Sequence, residues 1–280
     1  MAVRIVTDSA CDLDDARAKE LGIEIVPLTI RFGDREYIDR VELSNEDFWE
    51  KVGATDLLPE TAAPSPGAFE EVFQRLSDEG ADGIVCLNLS SALSATMQAA
   101  QLATKMLEGV CPVAVIDSCS VSMGLGHQAL LAARMAAQGA DLDTIVAAAE
   151  DHARRMRLYA TLDTLEHLKR GGRVGAARAL LGGVLSIKPV IEVREGVVAE
   201  AAKVRTRSKS FQYLVDRVAE AHAPDTVYVF HAQAPDIDEL LDRLAPIYPR
   251  DAIEVGAIGP VIGTHCGPRT IGVGWVDSTE

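Results

Sequence analysis

The stretch VRIVTDSACDL (Val3–Leu13) decides the fold class. It opens on a β-branched run and stops at Thr7-Asp8-Ser9, residue types that end strands and start turns. DDARAKELGIEIVPLTIRF (Asp14–Phe32) follows, a helical pattern that runs into a second apolar segment, so the first thirty or so residues read as strand, helix, strand. The same alternation recurs. FEEVFQRLSDEG (Phe69–Gly80) is helical, ADGIVCLNLS (Ala81–Ser90) a strand, SALSATMQAAQLATKMLEG (Ser91–Gly109) helical and VCPVAVIDSCS (Val110–Ser120) a strand. Two good helix formers complete the series, GLGHQALLAARMAAQG (Gly124–Gly139) and LDTIVAAAEDHARRMRL (Leu142–Leu158). Strands that alternate with helices make a largely parallel sheet covered on both faces, which predicts a doubly wound N-terminal α/β domain.

The pattern changes near residue 155. A strand is predicted over Leu158 to Leu162, a helix to about Lys169, then a basic glycine-rich turn, a further helix, and a hairpin of IKPVIEV (Ile187–Val193) and VVAEAAKV (Val197–Val204) turned by Arg194-Glu195-Gly196. A helix over Lys209 to Ala221, the strand TVYVFHAQ, a helix over Ile237 to Leu244, and a closing strand and loop in AIEVGAIGPVIGTH make the C-terminal half a mixed α/β domain. A 280-residue chain exceeds what one core usually supports, so the division expected is 1–155 and 156–280.

The chain is 48% hydrophobic and 25% charged, an ordinary globular balance, with no window near the ~18 uninterrupted apolar residues of a membrane span. Its N-terminus turns acidic after four apolar-rich positions, unlike a secretory signal, and the protein is expected in the cytoplasm. A formal charge of −15 repels nucleic-acid phosphates and anionic lipid headgroups. Five scattered cysteines, none spaced C-x-x-C, indicate neither a disulfide framework nor a zinc site, and no cofactor is called for.

Four polar loops sit where strands end: Thr7-Asp8-Ser9, PETAAPSPG (Pro59–Gly67), LSSALSAT (Leu89–Thr96) and IDSCSVSMGLG (Ile116–Gly126). In an open parallel sheet such loops can converge on one crevice. They are rich in hydroxyls and poor in titratable groups; Asp8 and Asp117 each precede a serine without a histidine nearby in sequence. In LSSALSAT, Ser90 or Ser91 can cap a helix that begins just after, and Ser94 lies one turn on, beside free backbone N–H groups, an arrangement suited to an anion or simply to a helix cap. Thr61, between prolines, is a second hydroxyl donor or a turn residue. GPVIGTHCGPRTIGVGW (Gly259–Trp275) holds His265 in a glycine-rich turn, which fixes its direction better than His127, His152, His167, His222 or His231, on or beside helices or at a strand end, are fixed. Two basic stretches, KRGGRVG (Lys169–Gly175) and KVRTRSK (Lys203–Lys209), suit a phosphate, a helix C-terminus or an acidic partner.

Taken in order, VTDSACDL, VPLTIRFGDREYIDRVELSNEDF, TAAPSPGAFEEVF, LSSALSATMQAA, VIDSCSVSMGLG, LEHLKRGGRVG, LLGGVLSIKPVIEV, KVRTRSK and IGPVIGTHCGP resemble the DegV family of bacterial fatty-acid-binding proteins, over essentially the whole chain. The resemblance implies two α/β domains with a lipid tunnel between or beneath them. It implies a carrier that holds one long-chain fatty acid and presents its carboxylate to a separate ATP-dependent fatty acid kinase, which makes an acyl-phosphate for phospholipid synthesis. Matched by motif, Thr61, Ser91 or Ser94, and His265 bind the carboxylate. Ser90, Arg170, Arg173 and Arg269 are secondary candidates, and Arg205 and Arg207 fall in the segment expected to dock the kinase. The sequence departs from the family's L-S-S-G-L-S-G-T at Ala92 and Ala95, and from its Gly-Pro-Gly-Ala after the histidine at Arg269 and Thr270, so Arg269 faces either the head group or solvent. Two other readings stay open: a serine-dependent acyl hydrolase or transferase using Ser91 or Ser94 with His265 as base, and an interaction protein whose lipid is only a filler.

Overall fold

The computed structural model describes residues 2–55, 57–107, 109–177, 187–221, 224 and 226–278. Strand β1 (Val3–Asp8) leads through helix α1 (Asp15–Glu20) into β2 (Ile23–Val26), which lies parallel to β1 with Ile23 opposite Ile5. Asp14 starts α1: its carboxylate accepts the N–H groups of Ala16 and Arg17, donors that a first helical turn leaves free. The apolar run expected as one strand divides at Pro27. Beyond it, β3 (Thr29–Phe32) pairs with β4 (Arg35–Ile38), helix α2 (Asn45–Ala54) intervenes, and β5 (Glu60–Ala62) joins the other side of β3. This small antiparallel sheet, ordered β4-β3-β5, is absent from the sequence expectation. PETAAPSPG, expected as a loop, supplies its edge strand, flanked by Pro59 and Pro64 where a missing N–H costs no ladder bond.

Helix α3 (Pro66–Asp78), β6 (Gly83–Asn88), α4 (Thr96–Met106) and β7 (Val113–Asp117) complete an all-parallel sheet ordered β2-β1-β6-β7. Helices α5 (Met123–Ala137) and α6 (Leu142–Arg155) follow. Side chains alternate along β1 and so assign its faces. Val3 and Ile5 enter the core that contains α5, while Val6 enters another with Phe69 and Phe73 of α3 and Ala100 and Ala103 of α4.

The remaining elements are β8 (Met156–Thr161), α7 (Glu166–Arg170), β9 (Lys188–Arg194), β10 (Val197–Val204), α8 (Arg207–Ala219), β11 (Val227–His231), α9 (Ile237–Leu244), β12 (Glu254–Ala257), α10 (Pro260–Cys266) and β13 (Ile271–Val276). Their mixed sheet is ordered β10-β9-β8-β13-β11-β12, antiparallel except for the β11–β12 pair. Glu195 and Gly196, both at positive φ, turn the β9–β10 hairpin in the primed geometry that matches strand twist. The helix expected after the basic turn falls largely on residues 178–186, and His222 is at 222; these lie outside the described residues.

Two expectations in the C-terminal segment need correction. The glycine-rich turn around His265 is helix α10, and the residues after it form β13, a central strand. Its odd positions Ile271, Val273 and Trp275 pack with Phe211 and Leu214 of α8 and Leu240 of α9. Its even positions, Gly272 and Gly274, sit opposite Phe230 and Tyr228 of β11, and a Cβ on either glycine would collide with that neighbour's ring. The two rings therefore lie over β13 and face a core that also holds Leu13, Leu28 and Leu125 of the N-terminal half. One apolar interior thus runs between the two larger sheets, with α5 inside it.

Candidate functional site

That interior contains a hollow lined mainly by apolar side chains. Leu28 and Leu89 line it from the N-terminal half; Val261 and Ile262 come from α10. The floor is the six-stranded sheet, where strand register sets the rows. Ile191, Ala160, Gly272 and Phe230 stand side by side on four neighbouring strands; the Phe230 ring covers Gly272, and Ile191, Ala160 and Phe230 line the hollow.

Polar side chains meet at one part of this lining. Thr61 on β5 and His265 on α10, 204 positions apart, approach to 2.9 Å between Oγ1 and Nε2. Burial, and then the Arg173 guanidinium and His167, hold the imidazole down at about 4, so it is neutral at pH 7. The other ring nitrogen, Nδ1, lies against Gly171 and has no hydrogen-bond partner among the described residues. A buried N–H without an acceptor is rarer than a bare acceptor, which assigns the single ring proton to Nε2. His265 then donates to Thr61 and leaves the threonine O–H free to donate elsewhere. Gly171 carries no side chain because a Cβ there would strike the His265 ring.

Ser94 lines the same cavity, its hydroxyl 2.8 Å from that of Thr96. Arg173 also lines it, held by its Nε–H to the Leu93 carbonyl at 3.0 Å and its Nη1–H to the Gly171 carbonyl at 2.7 Å. Arg173 is one of the secondary candidates named by the motif resemblance. It brings a cation to the lining that Thr61, Ser94 and His265 share, from the basic turn after α7.

The other candidates do not join this group. Ser90 Oγ donates to the Gly196 carbonyl at 2.6 Å and so fastens the tip of the β9–β10 hairpin. Exposed Ser91 is hydrogen-bonded to Asp117, which also accepts the Cys119 N–H at 2.8 Å and ties two loops together. Neither serine caps α4, which begins at Thr96 after Ala95 without a side-chain cap. Arg170 pairs with Glu166 one turn earlier and is exposed. Arg269 turns away to Asp163, at 3.0 Å. Arg207 makes a two-point pair with Asp236 at 2.9 and 3.0 Å, whereas Arg205 is exposed.

Catalysis by serine needs a nucleophile on its base and the base on an orienting group. Here His265 Nε2 is engaged by Thr61, its Nδ1 meets no carboxylate among the described residues, Ser94 bonds to Thr96 and Ser91 to Asp117. Cys266, beside His265, is buried and its thiol is pushed up to about 12 by desolvation. Among the described residues no cluster of histidine, cysteine or acidic side chains has metal-binding geometry. Asp8, wholly buried and pushed up to about 6 by desolvation, accepts the N–H groups of Leu89 and Ala10 and thereby positions the loop that carries Ser94.

A family model described as "Uncharacterised protein, DegV family" matches residues 2–278. A DegV domain-containing protein of Streptomyces coelicolor is 40% identical over 275 residues, 97% of each chain. Among solved structures, a DegV family protein from Thermus thermophilus, described as fatty acid binding, superposes with a TM-score of 0.89 at 31% identity, over 99% of this chain and 100% of that one. A fatty acid binding DegV family protein from Streptococcus agalactiae superposes with a TM-score of 0.90 at 26% identity, over the whole of both chains.

Proposed function

The chain belongs to the DegV family, and from that premise we propose that it binds one long-chain fatty acid, the tail in the apolar cavity and the carboxylate at Thr61, Ser94, His265 and Arg173. The observation that carries this reading is a neutral threonine–histidine pair with a guanidinium near it in the lining of a mainly apolar hollow. Burying about 15 methylenes at ~0.8 kcal/mol each yields roughly 12 kcal/mol. Association and ordering remove about 4 kcal/mol or more, which leaves useful affinity in the tail alone. The head group needs replacement of its hydration, since a carboxylate moved out of water without hydrogen bonds costs several kcal/mol. Hydroxyl protons of Thr61 and Ser94 supply that, with Arg173 as countercharge.

Mass spectrometry of an organic extract of the purified, denatured protein tests the reading directly. One long-chain acid per chain is expected, and a protein that neither carries nor takes up such an acid excludes it. His265→Ala removes the donor that orients Thr61 and should weaken palmitate binding by about 10- to 100-fold, the range for one lost hydrogen bond in a charged network. Unchanged affinity in a folded variant would remove His265 from the site.

The same reading extends to presentation of the carboxylate to a separate ATP-dependent kinase for acyl-phosphate formation, with phospholipid synthesis as the use of the product. The support is chemical: the lining offers a carboxylate neutral donors and one cation, and among the described residues Ser94 bonds to Thr96 and Ser91 to Asp117 rather than to a base. Exposed Arg205 is the docking residue this extension needs, and Arg207, committed to Asp236, supports it less directly. No helix among the described residues is long and apolar enough to cross a membrane. Division into domains at residue 155 belongs to the same proposal. Hydrogen exchange that opens the two sheets at different free energies would support it, and one shared opening energy would refute it.

A further inference from the structure

Helix α10 carries His265 but is only seven residues long, too short to hold itself in place. Its position comes from outside. At its start the Gly259 N–H donates to Asp12 Oδ1 at 3.0 Å, and the second oxygen of Asp12 accepts the Ser122 O–H at 2.5 Å. Ser122 stands immediately before α5 and lines the cavity. On the flank of α10, Trp49 of α2 donates its indole N–H to the Ile258 carbonyl at 3.3 Å. The Trp49 ring fits against Gly263, where a Cβ would come within 2.7 Å of Cζ2.

We propose that Asp12 is a positioning residue for the head-group site: a single buried carboxylate joins the segment after β1 to the starts of α5 and α10, and so sets where His265 meets Thr61. The proposal rests on the fatty-acid reading of the cavity and goes beyond it, since Asp12 lies 247 positions from Gly259 in sequence and lines a separate outer cavity. The charged and titratable neighbours that bear on Asp12 are Asp39 and Arg40 after β4, Asp8 and Cys11 on its own segment, Asp14, Asp15 and Arg17 around the same outer cavity, and the Cys266 thiol of α10. Arg40 favours the carboxylate and Asp39 opposes it, but burial dominates and raises Asp12 to about 7.

The test uses the two tryptophans, Trp49 and Trp275. In a Trp275→Phe background, Trp49 emission reports the seat of α10, and palmitate affinity is measured by titration calorimetry on the same protein. Asp12→Ala should shift the emission and weaken palmitate at least tenfold. Asp12→Asn, whose carbonyl still accepts the Gly259 N–H, should restore both. Alanine that leaves emission and affinity unchanged, or asparagine that fails as alanine does, overturns the proposal. If the alanine variant does not fold, the unmodified protein decides: the Gly259 amide resonance must titrate with Asp12 and the Trp49 indole resonance must move in the same transition. A Gly259 amide that does not titrate, or an indole that stays still while it does, refutes it. A parent protein that binds no palmitate refutes the fatty-acid reading alone, while the Trp49 response to Asp12→Ala still decides this one.

Discussion

Gly272→Val is expected to destabilise the protein by more than about 3 kcal/mol, the upper part of the range for overpacking a filled core. Valine has a far better strand propensity than glycine, so the local preference of β13 alone favours the change. The surroundings forbid it. A Cβ at position 272 would collide with the Phe230 ring on one neighbouring strand and with the Tyr159 carbonyl oxygen on the other. The ring can be removed; the backbone oxygen cannot. Urea unfolding of Gly272→Val, with and without Phe230→Ala, separates the two: Phe230→Ala should recover only part of the loss, and a single valine that costs less than about 1 kcal/mol would contradict the packing described here.

The same position explains where the sequence was legible and where it was not. β1, β6 and β7 are runs of apolar and β-branched residues bounded by turn residues, and that composition finds them. β13 reads IGVGWV, and alternate glycines carry the signature of a loop. Their reason lies in Phe230 and Tyr228, more than forty positions earlier, whose rings need the space. Helix α10 is hidden in the same way: Gly259 and Gly263 suggest a turn, yet Gly263 is in a helix, and it is glycine because Trp49 and Phe48 press against it. At the site, Thr61, Ser94 and His265 were named from motif resemblance, and the structure brings them to one cavity. Their contact could not be read from spacing, since a three-residue edge strand and a seven-residue helix deliver them. Arg173 is a secondary candidate from the same resemblance; a basic turn gives no direction, and its tether to the Leu93 carbonyl supplies one.

Asp12→Asn should make the protein relatively more stable as pH rises, by about 3 kcal/mol more at pH 8 than at pH 5, at 1.36 kcal/mol for each unit that separates the folded and unfolded proton affinities within that range. The sign follows from the direction of the shift. Burial raises Asp12 to about 7, well above its unfolded value, so the folded state binds its proton more tightly than the unfolded state does. That contribution is complete below the ordinary carboxylate range and is lost as pH climbs through 4 to about 7. Asparagine has no proton to lose and keeps an acceptor for the Gly259 N–H. It also tolerates the left-handed backbone at this position, φ 52°. Histidines act in the opposite sense: His265 and His152, both lowered to about 4, withdraw stability as pH falls from 6.5. They are common to both proteins and cancel in the difference, as do Asp8 and Asp39, raised to about 6, to first order. The measurement is the difference in unfolding free energy between Asp12→Asn and the parent, from denaturant curves at pH 5, 6, 7 and 8. A difference that is flat across that range, or that falls with pH, would place Asp12 in contact with water and remove the buried carboxylate on which the seating of α10 depends.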